Sequence, residues 1–314
     1  MTARQDASRY VCVVGGANVD IEGRVAGRLE MADSNPGTVK RSAGGVGRNI
    51  AENLVRLDVS TRFITAFGRD HQGTWLHDET TRAGVDLTDS IWSDDTPTST
   101  YLSVIDGSGE MIVAVNDMEV LAALDGAALG ARRQAIAGAA AVVVDCNLKS
   151  ESLGPVVNEL ADGPVFVDPV SSAKAERIAP HLGSVHTIKP NRAEAQLLSG
   201  VEISGERSLR TAASALLDTG LRQVVISLGV DGLFFADAEA SGTIARPDLP
   251  VASVTGAGDA LMAGLVHAHL ANLPIESAAR FALAAAAITA SSTQPVAPDL
   301  STKRIHDLLE KAAS

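Results

Sequence analysis

Aromatic residues are scarce in this chain: Phe, Tyr and Trp make up 3% of its 314 residues. Proteins that grip single-stranded nucleic acid stack bases on aromatic platforms, so this class is disfavoured. Positive charge is also short. Lys and Arg number 26 against 38 Asp and Glu, for a formal net charge of −12. A nucleic-acid backbone or an anionic membrane is therefore a poor partner, although a local cradle can still hold a phosphate-bearing ligand. There are only two cysteines, Cys12 and Cys146, each in or at the end of an apolar run that reads as a buried strand. That excludes a disulfide framework and suits a reducing cytoplasm, with both thiols as small core residues rather than nucleophiles. The seven histidines show no metal-ligand spacing. His267 and His269 stand two apart on an expected helix and so point different ways, and zinc is not expected. Long apolar runs are missing as well. The longest, 135–144 and 281–288, are too short to span a bilayer, and residues 1–10 are polar with no signal core. The expected location is the cytoplasm. No repeat, low-complexity tract or linker is present.

What is there is a core. Hydrophobic residues make up 46% of the chain, enough for one large α/β domain or two ordinary ones. Val11–Val14 reads as a first buried strand. Short β-type runs recur at 142–144, 165–167, 185–188, 224–228 and 233–236. Helical patterns lie between most of them, such as Ile50, Leu54 and Leu57 at spacings of four and three. Strands alternating with helices predict a mostly parallel sheet covered on both faces, with ligands bound beyond the C-terminal strand ends. One region breaks the alternation. The runs 98–105 and 111–115 are joined by Asp106-Gly107-Ser108-Gly109, a hairpin turn with no helix between. Together with 20–42 they predict a small separate sheet, either a lid over a cleft or an edge hairpin.

The most informative motif is Val254-Thr255-Gly256-Ala257-Gly258-Asp259, which runs directly into the apolar stretch 260–270. Amides at a helix start lack intrahelical partners and sit at the positive end of the dipole. Small residues there let an anion come close. Asp259 beside that anion is placed to take a proton from an attacking hydroxyl. A tight turn capped by Asp259 is the plainer alternative.

Three other clusters carry chemistry. Ser42-Ala43-Gly44-Gly45-Val46-Gly47-Arg48-Asn49 is a second glycine-rich run into a helix, without the Lys-Ser/Thr ending of a P-loop and with no clear strand before it. Gly44 and Gly45 offer close approach to a ligand, and Asn49 offers both donor and acceptor; helix-start packing is the alternative. Asn18 and Asp20, two apart just after the first strand, suit a vicinal diol or simply a turn. Asn191 and Glu194 stand in capping-box register after Lys189-Pro190.

The order of these motifs along the chain resembles the ribokinase-like (PfkB) carbohydrate and nucleoside kinases over roughly residues 10–309. Within them the chain looks nearest to bacterial pseudouridine kinases, on the stretches 32–37, 44–53, 116–118, 145–147, 167–171 and 189–191. The resemblance implies a single α/β kinase domain over 1–314: a central, mostly parallel sheet flanked by helices, with a β lid from about 20–42 and 96–118. It implies ATP and Mg2+ as cofactors and the 5′-hydroxyl of pseudouridine as acceptor. Another nucleoside or ribose is the alternative substrate, and a non-catalytic sugar-binding protein of the same fold is the rival of a different class.

The resemblance also implies residue roles. Asp259 is the base, and Gly256, Ala257 and Gly258 hold the transferring phosphoryl group. Asn18, Asp20, Gly44, Gly45 and Asn49 hold the ribose. Asn147 stands where ribokinases have a sugar-contacting carboxylate, and Tyr101, Asn116 and Asp117 face the base. Asn191, Ser227, Gly229, Gly232, Thr255, Ala286 and Ala290 lie along ATP, with Glu194 reaching Mg2+ through water. Ser253 replaces an Asp that helps bind a monovalent cation in many members, and Ser291-Ser292-Thr293-Gln294 replaces a late Lys-Gly, so the cation side departs from the pattern. A homodimer paired through the lid is the expected assembly.

Overall fold

The computed structural model describes residues 9–313. Residues 1–8, most of the segment expected to lack a signal core, lie outside them. In chain order the first seven strands are β1 (Val11–Val14), β2 (Asn18–Val25), β3 (Gly37–Gly44), β4 (Thr61–Ile64), β5 (Ala66–Gly68), β6 (Ile91–Ser93) and β7 (Thr100–Ile105). The rest are β8 (Met111–Asp117), β9 (Ala141–Asp145), β10 (Val165–Asp168), β11 (Thr187–Ile188), β12 (Gln223–Ser227), β13 (Leu233–Ala236) and β14 (Ser241–Ile244). Eight of them form the main sheet, in the order β14-β13-β12-β11-β10-β9-β1-β4. From β4 to β12 every pairing is parallel; only β13 and β14 run antiparallel.

The β-branched strands explain the layering. Along β1, Val11 and Val13 face one buried cluster while Cys12 and Val14 face another, so both sides of the sheet are dry. The first cluster is covered by helices Val46–Arg56, Ala257–Leu270 and Ile275–Ala290. Both cysteines are fully buried, and burial pushes the Cys12 thiol up to about 12, so both act as core residues. His267 stacks on Phe281, while His269 meets Phe166 and His186. No helix among the described residues is long and apolar enough to cross a membrane.

The second sheet has four strands in the order β3-β2-β7-β8. It contains the expected hairpin and the 20–42 segment. Two sequence expectations are corrected. The glycine-rich run at Gly44 does follow a strand, β3, whose exposed and polar residues hid it from a search for apolar runs. The run 185–188 pairs only at Thr187 and Ile188, because Val185 closes a 3-10 turn.

Candidate active site

The parallel strands deliver their C-terminal ends to one edge, and most of the chemically marked residues follow those ends. Asn18 opens β2 just beyond β1, Asp145 and Asp168 end β9 and β10 as registered neighbours, and Lys189 follows β11. Helix Ala257–Leu270 starts at this edge. Its N-cap, Gly256, has φ 80, and a Cβ there would collide with the Pro295 carbonyl, so only glycine fits. Asp259 lies in the first turn and makes no cap bond, which removes the plain cap reading for it. The amides of Gly258 and Asp259 have no partner among the described residues. They form a cradle of free donors, of a kind suited to an anion, at the positive end of a fourteen-residue helix.

Asp259 is buried, and its carboxylate accepts a hydrogen bond from Asn49 Nδ2 at 2.9 Å. Burial, then the nearby Asp168, pushes its pKa up to about 8; the Asn49 bond and Lys189 oppose the rise. Lys189 is itself buried, and its ammonium lies 3.1 Å from Asp168 Oδ2. Its Nζ also lies 3.2 Å from where a Cβ on Gly258 would stand, so a cation sits directly beside the cradle. Sequence reading missed this lysine. The available signal was its place one residue past a buried parallel strand, where ligands bind.

Of the sugar-side residues, Asn49 is the one in hydrogen-bond contact with Asp259. Asn18 donates to Asp20 at 2.6 Å, as expected for two side chains on one face of a strand. Burial raises the Asp20 pKa to about 6, opposed by Asn18 and by Arg48. Gly44 makes room for the Asp20 carboxylate. Gly45, with φ 100, would drive a Cβ to within 2.5 Å of the Gly16 carbonyl. The chain's own packing therefore requires both glycines. Asp20, Tyr101 and Asn116 are registered across β2, β7 and β8 and share one face. Asp117, next along β8, falls on the other face of the pleat. Asn116 and Asp117 nevertheless line one cavity with Asn147, whose Oδ1 accepts from Lys174 at 2.6 Å.

On the other side of the cradle is an apolar cavity of about 280 Å³. Ser227, Gly229, Gly232, Ala286 and Ala290 line it together with Gly258. Arg246 lines it too and was not anticipated; its Nε is buried without a hydrogen-bond partner among the described residues. Thr255 is exposed at the cradle's entrance, its N–H held by Ser253 Oγ. Asn191 bridges to Ser227 across the strand ends. Its capping box with Glu194 is complete in both directions. Glu194 is buried with no cationic side chain in ion-pair contact among the described residues, and burial raises its pKa. A hard cation at or near it would relieve that cost, so these oxygen donors fit Mg2+ held mainly by phosphates and water.

The pfkB family of carbohydrate kinases matches residues 8–303. This chain belongs to that family. The kinase is 39% identical over 304 residues to the pseudouridine kinase of Escherichia coli (strain K12), covering 96% of this chain and 97% of that protein. A carbohydrate kinase from Agrobacterium tumefaciens superposes with a TM-score of 0.85 at 30% identity, over 96% of this chain and 97% of the other. A ribokinase from Arabidopsis thaliana, solved with ribose and ATP, superposes at 0.81 over 96% of this chain and 99% of that one. At 22% identity it shares the fold alone. The kinase has the ribokinase-like α/β fold and is a phosphotransferase with an alcohol acceptor.

Proposed function

We propose that this kinase transfers the γ-phosphoryl group of ATP to the 5′-hydroxyl of pseudouridine, giving pseudouridine 5′-phosphate, with Asp259 as general base. The contact between Asn49 and Asp259 carries the reading. It joins the sugar-side loop to the first turn of the cradle helix, so acceptor and donor sides meet at one carboxylate. The substrate choice rests on the likeness to the E. coli pseudouridine kinase.

In this reading Asn18, Asp20 and Asn49 grip the ribose hydroxyls and aim the 5′-hydroxyl at Asp259. Tyr101, Asn116 and Asn147 border the base, with Lys174 holding the Asn147 amide. Gly258 and its neighbouring amides, with Lys189 beside them, stabilise charge on the transferring group. Bound Mg2+ would neutralise phosphate charge, with Glu194 and Asn191 on its water shell. Positioning and electrostatics supply most of the rate in such transfers. Asp259 acts only when ionised, so kcat/KM for the nucleoside rises with pH through about 8.

The four-stranded sheet would close over the nucleoside as a lid. Its edge strand β8 is exposed throughout, with Val113 at 50% and Val115 at 60%. Apolar side chains on a free strand edge favour pairing with a second copy, which supports a homodimer. Light scattering that gives a monomer mass would remove that part.

The deciding experiment is ADP release with ATP, Mg2+ and, in parallel, pseudouridine, uridine, inosine and ribose. Strong preference for pseudouridine is expected. Turnover centred on another acceptor would move the specificity, and no turnover on any would sink the nucleoside reading.

A further inference from the structure

Arg48 is buried and makes a second set of contacts besides its influence on Asp20. It stands on helix Val46–Arg56 beside Asn49, and each of its guanidinium nitrogens donates a hydrogen bond. Nε donates to Thr80 Oγ1 at 3.3 Å, and one terminal nitrogen donates to Glu52. The other donates to the Ala43 carbonyl at 3.3 Å and to Asn49 Oδ1 at 3.1 Å.

The last contact has a consequence. A guanidinium only donates, so it fixes the Asn49 oxygen on its own side. The Asn49 amide nitrogen must then point the other way, where it meets Asp259 Oδ2 at 2.9 Å. The usual ambiguity of an amide flip is removed by chemistry. One Nδ2 hydrogen is spent on Asp259 and the second is left for a substrate hydroxyl.

We infer that Arg48 is a positioning residue for the reaction: it locks the Asn49 amide so that Asn49 donates to, and orients, the Asp259 carboxylate. The inference rests on Asp259 being the base. Arg48 acts through Asn49 and does not touch the reacting atoms.

The groups facing Asp259 define what its loss would do. Asp168 from β10 and Asp145 from β9 raise the Asp259 pKa, while Lys189 after β11 and Asn49 lower it. Freeing the Asn49 amide removes one of the two stabilising partners of the carboxylate. The base then ionises at higher pH. Glu52 keeps a partner without Arg48, because Arg56 also holds it at 2.6 Å, so removing Arg48 leaves no orphaned carboxylate.

The test is the pH profile of kcat/KM for the nucleoside in wild type, Arg48→Met and Arg48→Lys. A lysine bound to Glu52 cannot also hold Asn49, so Arg48→Lys carries the test if Arg48→Met does not fold. The expected result is a loss of about tenfold or more at pH 7 with KM for ATP little changed. The acid limb should move up by about one pH unit, so activity recovers at high pH. A variant that only melts earlier, with its acid limb unmoved, overturns the inference and leaves Arg48 a structural residue. If the wild type turns over none of the nucleosides, the proposed function fails separately. A crystal structure of Arg48→Lys then decides: an Asn49 amide rotated away from Asp259 supports the inference, and an unchanged contact overturns it.

Discussion

Two glycine-rich turns lead into two helices that pack against each other, and they do opposite things. The turn at Gly44-Gly45 is filled by the protein. Gly45 lies against Gly16 and Ala17, and the Arg48 amide is bonded to the Gly16 carbonyl. The turn at Gly256-Ala257-Gly258 is closed only behind Gly256, by Pro295. Ahead of it the Gly258 and Asp259 amides have no partner among the described residues, and Lys189 Nζ stands beside Gly258. The lesson is that glycine before a helix signals close approach without saying to what. Where the approach is to the chain's own backbone, packing by itself already demands the glycine. Where the amides stay unpaired and a cation stands by, the turn is open to an anion.

The sharpest break of that contrast is at its one carboxylate. Asp259→Asn should lower kcat by on the order of 10² or more while nucleoside binding, read by thermal shift, stays nearly intact. Near-wild-type turnover would remove Asp259 as the base.

Next come the glycines themselves. Gly45→Ala places a Cβ on a residue with φ 100 and against the Gly16 carbonyl. It should cost about 1–3 kcal/mol of stability or more, read by denaturant unfolding. Gly258→Ala meets only the Lys189 ammonium, 3.2 Å away, and no backbone. It should leave stability unchanged or raise it by about 0.5–1 kcal/mol, since alanine suits a helix better, yet depress turnover by crowding the cradle. Equal stability losses at both positions would erase the distinction between the two turns.

The smallest effect concerns stability against pH. The Asp259 pKa is raised from 3.8 to about 8 in the folded state, so the fold gives up stability as pH rises through that window. Asp259→Asn cannot ionise and should melt higher than wild type above pH 8 and show little advantage near pH 4. A constant difference across pH would show that the carboxylate is not desolvated as described.

Legibility followed the range of the interaction. Strands Val11–Val14 and Leu233–Ala236 were readable residue for residue, because an unbroken apolar run marks a strand buried on both faces. Strand β3 was not, because its exposed residues carry no such mark. The capping box at Asn191 and Glu194 was readable because its partners are three residues apart. Lys189 was not, since its meaning lies in Asp168 and Gly258 on other elements. Asn116 and Asp117 stand on opposite faces of the pleat, and only the tertiary fold brings both to one cavity with Asn147.

The sequence by itself determined the alternation of strand and helix, the parallel sheet and the positions of the glycine-rich turns. Each of these is encoded in periodicity or spacing within a few residues. Tertiary structure alone decided which turn is the cradle, and it brought Asn49 to Asp259 across 210 positions of sequence. That contact depends on the order of strands in the sheet and on two helices meeting above its edge. No local pattern contains it, because it is created only when buried apolar faces force the segments together.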